Sequence, residues 1–234
     1  MRKSYRESFK TMHNVFDDFT DRTIYSFITR GIIDGLESPL SMGKESNVFT
    51  ASSHGQRLAV KIYRLQTADF NRMYEYIRSD PRFHSLRKQR RKVIFAWCQR
   101  EYKNLLVARK HGVRVPTPKA FKNNVLIMNL EGAPAPKLKD QHPKNPEEFC
   151  KKIIHEMKLL YNAKLVHGDL SAYNILNDEE TPVLIDLSHS TPIDSPSSTT
   201  YLKRDCKNVT AYFKKRGVNI TEEEMYEEVT KNEE

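Results

Sequence analysis

No apolar run in this 234-residue chain approaches the roughly 20 residues of a membrane-spanning helix, and cysteine is scarce. The three cysteines, Cys98, Cys150 and Cys206, are too far apart to form a disulfide framework or metal-ligand spacing. Each falls in a stretch of helical periodicity and reads as a small core residue. The segment Met1-Arg-Lys-Ser-Tyr-Arg-Glu7 lacks the apolar core of a signal peptide, so a cytoplasmic location is expected. No internal repeat and no second catalytic domain is visible. What the chain does have is charge: 29% charged against 38% hydrophobic residues fits a folded globular protein rather than a disordered one. Its length can bury a substantial core, as one large or two small lobes. The net charge of +9 favours a polyanionic partner without identifying one. Six of the eleven residues from Arg82 to Lys92 are basic: Arg82, Arg87, Lys88, Arg90, Arg91 and Lys92. A solvated loop and an RNA- or substrate-contacting surface are both compatible with that run.

The most informative segment is Val166-His-Gly-Asp-Leu-Ser-Ala-Tyr-Asn-Ile-Leu176, followed by Val183-Leu-Ile-Asp186. It places a carboxylate at Asp169, an amide oxygen at Asn174 and a second carboxylate at Asp186. Phosphoryl transfer needs a group that accepts or positions the acceptor hydroxyl proton, and ligands for the divalent ions bridging the nucleotide phosphates. The spacing H-x-D-x-x-x-x-N with a downstream strand-borne Asp supplies both.

Upstream, Val48-Phe-Thr-Ala51 and Leu58-Ala-Val-Lys-Ile-Tyr63 read as strands flanking a turn at 52–55. Before the first of them, Ser41-Met-Gly-Lys-Glu-Ser-Asn47 is a phosphate-loop candidate, with Gly43 permitting close backbone approach. Lys61 shares a strand face with Ala59 and Tyr63, and Ala59-Val-Lys61 resembles the strand lysine that neutralises nucleotide phosphates. Within residues 91–110, Val93, Ile94, Trp97, Cys98, Leu105 and Ala108 trace an apolar helical stripe with Glu101 on or beside it. A buried carboxylate needs a partner, and Lys61 is the expected one.

A helical stripe at Ile24, Tyr25, Phe27, Ile28 and Ile32 predicts a helix capped by Thr20 or Asp21 and stopped at Gly31. Residues 1–38 then form a small helical extension, 39–130 an N-terminal lobe with a flexible basic loop at about 67–90, and 131–234 a C-terminal lobe. Val125-Leu-Ile-Met128 is a buried strand running into a connector. Asn145-Pro146 predicts a helix start, with Phe149, Ile153, Met157 and Leu160 as its buried stripe. Leu202, Cys206, Val209 and Phe213 mark another helix, and Thr221-Glu-Glu-Glu224 a capping box.

On these pieces the chain resembles the RIO family of atypical protein kinases, in the short Rio-one-like form. The resemblance covers about residues 15–230. It rests on Ser41-Met-Gly-Lys-Glu-Ser-Asn-Val48, Lys61-Ile-Tyr-Arg64 with Thr67-Ala-Asp-Phe70, Asp80-Pro-Arg-Phe83, Trp97-Cys-Gln-Arg-Glu-Tyr102, Val166-His-Gly-Asp-Leu-Ser171 and Tyr201-Leu-Lys-Arg-Asp205. It implies an α+β, two-lobed protein-kinase-like fold with a small N-terminal helical extension and a reduced C-terminal lobe. It implies an autophosphorylating Ser/Thr kinase, an ATPase, or both, acting in small ribosomal subunit maturation. ATP and Mg2+ (or Mn2+) are the implied cofactors. The small ribosomal subunit precursor and its RNA, met by the basic run 82–92, are the implied partners, beside a protein substrate.

Carried over by position, Ser41, Gly43, Lys44, Glu45, Ser46 and Asn47 would cover the phosphates. Lys61 and Glu101 would pair, Met128 would back the adenine pocket, and the backbone of Asn129 and Glu131 would bond adenine. Asp169 would act as base, Asn174 and Asp186 would hold the metal, and Asp186 could itself accept phosphate, since a carboxylate can act as a nucleophile. Ser79 and Ser85 are the hydroxyls of the loop the family autophosphorylates.

The departures are Leu187-Ser188 in place of Phe-Gly after Asp186, the absence of an Ala-Pro-Glu motif, the charge of Glu131, and Gly168 where relatives more often have alanine. A small-molecule kinase of the aminoglycoside or choline type shares H-G-D-L-x-x-x-N. Against it stand Lys44-Glu-Ser-Asn47, the basic run and the lack of a large acceptor-binding insert. A non-catalytic ribosome-binding module is the third reading, opposed by the filled positions 61, 169, 174 and 186.

Overall fold

The computed structural model describes residues 16–231 except Ser79. The chain divides into two compact units. The first takes in helix α1 (Asp18–Thr29) and strands β1 (Gly35–Met42), β2 (Ser46–Ser53) and β3 (Gln56–Tyr63). It continues through most of helix α2 (Phe70–Arg78), the start of helix α3 (Arg90–Lys110), β4 (Pro118–Lys122) and β5 (Val125–Asn129). Its sheet is antiparallel in the order β1-β2-β3-β5-β4.

Helix α1 begins earlier than its apolar stripe suggests. Asp17 caps it, Oδ1 accepting from the N–H groups of Phe19 and Thr20, while Thr20 and Asp21 are buried inside the first turn. The expected cap at Thr20 or Asp21 is corrected accordingly: Thr20 donates its hydroxyl to Asp17. Gly31 ends the helix as expected, at φ +67. The α1 residues Ile24 and Phe27 form one core with Phe49, Ala51, Leu58, Val60 and Ile62. Strand β1 is absent from the sequence reading for a physical reason: it is an edge strand, largely exposed, bulged around Pro39. The predicted hairpin is present, with His54 and Gly55 at positive φ. The segment expected as a flexible loop contains α2 and a 3₁₀ turn at Pro81–Phe83. Ser79 lies outside the described residues.

The second unit holds α4 (Pro146–Asn162), β6 (Leu165–Val166), β7 (Ile175–Asp178), β8 (Thr181–Leu184), β9 (Thr191–Pro192), α5 (Ser198–Lys214) and α6 (Glu222–Thr230). It also includes the end of α2 with residues to 85, and the later part of α3. Asn145 caps α4 ahead of Pro146, and Phe149, Cys150, Ile153, Met157 and Leu160 are its buried face. Strand pairs β6-β9 and β7-β8 carry the loops between α4 and α5. The Thr221–Glu224 capping box opens α6, which packs on α4 and α5. All three cysteines are buried and form no disulfide. Among the described residues no helix is long and apolar enough to cross a membrane.

Candidate active site

In the first unit, the phosphate-loop candidate is not a loop ahead of the first strand but the hairpin connection between β1 and β2, with Met42 opposite Asn47. Three of its carbonyls are tied to the chain beyond β3. Gly43 O accepts from Arg64 Nη1, Glu45 O from the Arg64 N–H, and Lys44 O from Thr67 Oγ1. Because each peptide is planar and trans, the N–H groups of Lys44, Glu45 and Ser46 face the opposite way. Such a row of amides is an anion-accepting surface. A Cβ at Gly43 would meet Ser46 O at 3.0 Å, so any larger residue there requires the turn to shift.

Within this loop, Asn47 turns its side chain away from the Lys61 face. It lies directly opposite Ile62, whereas Lys61 pairs with Val48, so its side chain shares the α1 face and not that of Lys61. Only its backbone remains for the loop. Lys61 is buried, its Nζ 5.1 Å from the Tyr63 ring centroid. On β5, Met128 is opposite Ala59 and Asn129 opposite Leu58. Asn129 therefore shares the Leu58 face, turned toward the α1 core, with its Oδ1 buried; only its backbone faces the same way as Met128.

In the second unit, Asn174 and Asp169 meet directly. Asn174 Nδ2 donates to the Asp169 carbonyl at 2.8 Å and to its Oδ2 at 3.1 Å. With Nδ2 engaged, the Asn174 amide oxygen is oriented away from Asp169. The Asn174 carbonyl accepts from the Ile185 N–H, which ties it to the residue before Asp186. Asp186 stands at φ +62, a left-handed conformation that costs about 1–2 kcal/mol for a residue with a Cβ and is typical of functional positions. Ser188 Oγ donates to Asp186 Oδ1 at 2.7 Å, so the serine in place of glycine orients the carboxylate. His167 faces the Ile185 carbonyl with Nε2 and the Asp169 N–H with Nδ1, contacts that assign its proton to Nε2. Glu101 is buried on α3. Burial raises the Glu131 carboxyl, against the pull of Arg109, and its carbonyl accepts from the Ala135 N–H. Ser85 is exposed.

Two sets of residues with no role in the sequence reading hold these loops. From α5, Asp205 accepts the Gly168 N–H at 2.7 Å and the Leu170 N–H at 2.8 Å. Asn208 donates to the Leu170 carbonyl and Arg204 to the Gly168 carbonyl. Burial pushes the Asp205 carboxyl up to about 6, against those N–H groups and Arg204. Gly168 has φ +79, and a Cβ would meet the His189 carbonyl at 2.9 Å. Glycine is therefore required in this chain. From α3, Arg100 and Asn104 bond the carbonyls of residues 187, 188 and 190.

The basic run is partly committed to the fold. Arg82 bonds Asp80 and Asn104, and Arg90 bonds the carbonyls of Gln66 and Ala68 and covers Phe70. Arg91 lies over Phe19 and Lys88 over Tyr74. Arg87, Lys88, Arg91 and Lys92 are exposed.

The RIO domain family matches residues 47–226. The RIO-type serine/threonine-protein kinase Rio1 of Haloferax volcanii is 38% identical over 237 residues, covering 100% of this chain and 82% of that protein. Rio1 of Methanocaldococcus jannaschii is also 38% identical, over 97% of this chain and 80% of its own length. Among solved structures, the Rio2 kinase-ADP/Mg2+-phosphoaspartate complex from Chaetomium thermophilum aligns with a TM-score of 0.68 at 20% identity. That alignment covers 89% of this chain and 65% of the other. The likeness is one of fold, the α+β protein-kinase-like architecture.

Proposed function

The chain belongs to the RIO family of serine/threonine protein kinases, and from that premise we propose that it transfers the ATP γ-phosphoryl group from a site built on Asp169, Asn174 and Asp186. The observation that carries this reading is the pair of hydrogen bonds that Asn174 Nδ2 donates to the Asp169 carbonyl and carboxylate, which fixes base and amide ligand as one unit. Asp169 accepts the proton of the attacking hydroxyl. The amide row of residues 44–46, with Ser41 and Lys44 beside it, receives the phosphates, and Lys61 neutralises them. A buried ammonium requires a compensating charge, and the family resemblance assigns that part to Glu101. By the family resemblance, the backbone of Asn129 and of Glu131 bonds adenine and Met128 backs it.

Magnesium suits the donor set: hard oxygens from Asn174 and Asp186, completed by nucleotide phosphates rather than by a protein cage. Among the described residues no cluster of three or more His, Cys, Asp or Glu forms, consistent with an ion shared with its substrate. When bound, the ion offsets charge on the transferring phosphoryl group; manganese has the same ligand preference. Asp186 also accepts the phosphoryl group with release of ADP, and hydrolysis of that acyl phosphate by water closes an ATPase cycle.

Incubation with γ-labelled ATP followed by acid and hydroxylamine treatment tests the reading. Acid-stable label means phosphoserine or phosphothreonine, hydroxylamine-labile label an acyl phosphate on Asp186. No label and no released phosphate would reject phosphoryl transfer.

The process is small ribosomal subunit maturation in the cytoplasm, read from the family resemblance and the basic run. With Arg82 and Arg90 engaged internally, the RNA-facing charges are Arg87, Lys88, Arg91 and Lys92. Changing Arg87, Lys88 and Lys92 to Gln is expected to weaken preribosomal RNA binding and flatten its salt dependence by about 0.7–0.9 in log–log slope per lost phosphate contact. An unchanged slope in a filter-binding titration would remove the basic run from the interface.

A further inference from the structure

The motif Asp80-Pro-Arg-Phe83 has no part in the site described so far, yet it ends on the segment that carries Asp186. Asp80 caps the 3₁₀ turn at Pro81–Phe83, accepting the Arg82 N–H at 3.0 Å. Its carboxylate, 1% exposed, takes Arg82 Nη2 at 2.6 Å and Arg100 Nε at 3.2 Å. Arg100 is wholly buried. Its remaining nitrogens reach the Ser188 carbonyl at 3.1 Å and Thr191 Oγ1 at 2.9 Å. Asn104, one turn later on α3, accepts from Arg82 with Oδ1. With Nδ2 it donates to the carbonyls of Leu187 and Ser190. Three carbonyls of the four-residue stretch after Asp186 are thus held by two side chains, and both side chains are set by the Asp80–Arg82 pair. Tyr76, just upstream, stacks on Tyr201 and meets His189 edge-on at 4.9 Å.

We propose that Asp80 is a positioning residue for phosphoryl transfer: acting through Arg100 and Asn104, it fixes the backbone of residues 187–190 and with it the orientation of the Asp186 carboxylate. This rests on reading Asp186 as a metal-holding carboxylate. The chemistry favours a positioning role over simple packing because the bonds end on main-chain carbonyls rather than on apolar side chains. Ser188, gripped at its carbonyl by Arg100, donates its hydroxyl to Asp186 Oδ1. A shift of this stretch therefore moves the Asp186 partner directly. Burial alone would raise the Asp80 carboxyl and pull down Arg100, which it brings to about 10; the Arg82 bonds nevertheless hold Asp80 below its usual range.

The test uses the full chain and compares Asp80→Asn with Val229→Ala, a cavity variant on α6 with no link to the clasp. Asp80→Asn is expected to lower kcat and raise the half-saturating magnesium concentration about 10–100-fold. It should speed amide hydrogen exchange at residues 187–191 and leave ATP affinity without magnesium unchanged. Val229→Ala should lower Tm while leaving magnesium dependence and that exchange at wild-type values. If Asp80→Asn does not fold, Arg100→Lys keeps the charge but loses the fork to Ser188 and Thr191, and the same magnesium shift is expected. The proposal is overturned if these variants lower Tm but keep wild-type magnesium dependence and wild-type exchange at 187–191. Should the wild type itself show no phosphoryl transfer, the kinase reading fails. Exchange and magnesium-dependent nucleotide binding then still decide the clasp.

Discussion

Asp169→Ala is expected to lower phosphoryl transfer about 10²–10⁴-fold, the range for loss of a general base, while ATP affinity stays near that of the wild type. The separation follows from how the loop is held. Of the two bonds from Asn174 Nδ2, the one to the Asp169 carbonyl survives the substitution and only the one to Oδ2 is lost. The Asp169 N–H still faces His167. Gly168 and Leu170 on either side remain tied to Asp205. The loop keeps its shape and loses its base. Asp169→Asn keeps an acceptor for Asn174 as well, so it should bind metal and nucleotide and fail in turnover to a similar extent. Single-turnover measurement with labelled ATP, beside calorimetric ATP titration, reads the two effects apart. Turnover at the wild-type rate in Asp169→Ala would end the assignment of the base. A parallel loss of ATP binding would show that the loop, not the proton acceptor, had been damaged.

The residues legible in the sequence are those whose partners are local or whose periodicity is simple. Asp169 and Asn174 are five positions apart and meet within one loop. Lys61 follows from strand alternation, and the caps at Asn145 and Thr221 from their own neighbours. Which way the Asn47 side chain points is not legible in the loop motif, which says nothing of pleat. Once β2 pairs with β3, the residue opposite Ile62 must face α1. Strand β1 is not legible because an exposed, proline-bearing edge strand has no hydrophobic alternation to read. The residues that hold the loops were hidden by distance: Asp205 lies 35 positions from Leu170, and Arg100 lies 88 from Ser188. A signal existed all the same. Asp205 falls three residues after Leu202 and four before Val209, and Arg100 three after Trp97, so each puts a charge within a buried helical stripe. Burial of that kind requires hydrogen-bonded partners. Here those partners are the loops that carry Asp169 and Asp186.

Asp205 also makes a prediction in which stability and activity respond to pH in opposite directions. Its folded-state value, about 6, lies above the 3.8 of an unperturbed carboxyl because burial disfavours the charge. A raised folded value means that the native state takes up the proton first. Stability from this group is fully present below about 3.8 and is lost as pH rises through about 6, roughly 3 kcal/mol in all. Activity should run the other way. The ionised carboxylate accepts two N–H groups, whereas the protonated one carries its own O–H donor against two donors and loosens Gly168 and Leu170. Between pH 7 and 5 the wild type is therefore expected to lose turnover while the Asp205 contribution to stability grows. Asp205→Asn, uncharged throughout, should have a flatter stability curve over that window. With an amine facing one N–H, it should also have low turnover at pH 7, where a misplacement of about 1 Å costs on the order of 10²-fold. Asp205→Ala leaves both N–H groups without their acceptor and should lose about 2–5 kcal/mol of stability. Denaturant melts and kcat for wild type and Asp205→Asn at pH 5, 6 and 7 check the sign. If the stability curves are parallel across that window, Asp205 does not titrate there, and the acid loss of turnover belongs to another group.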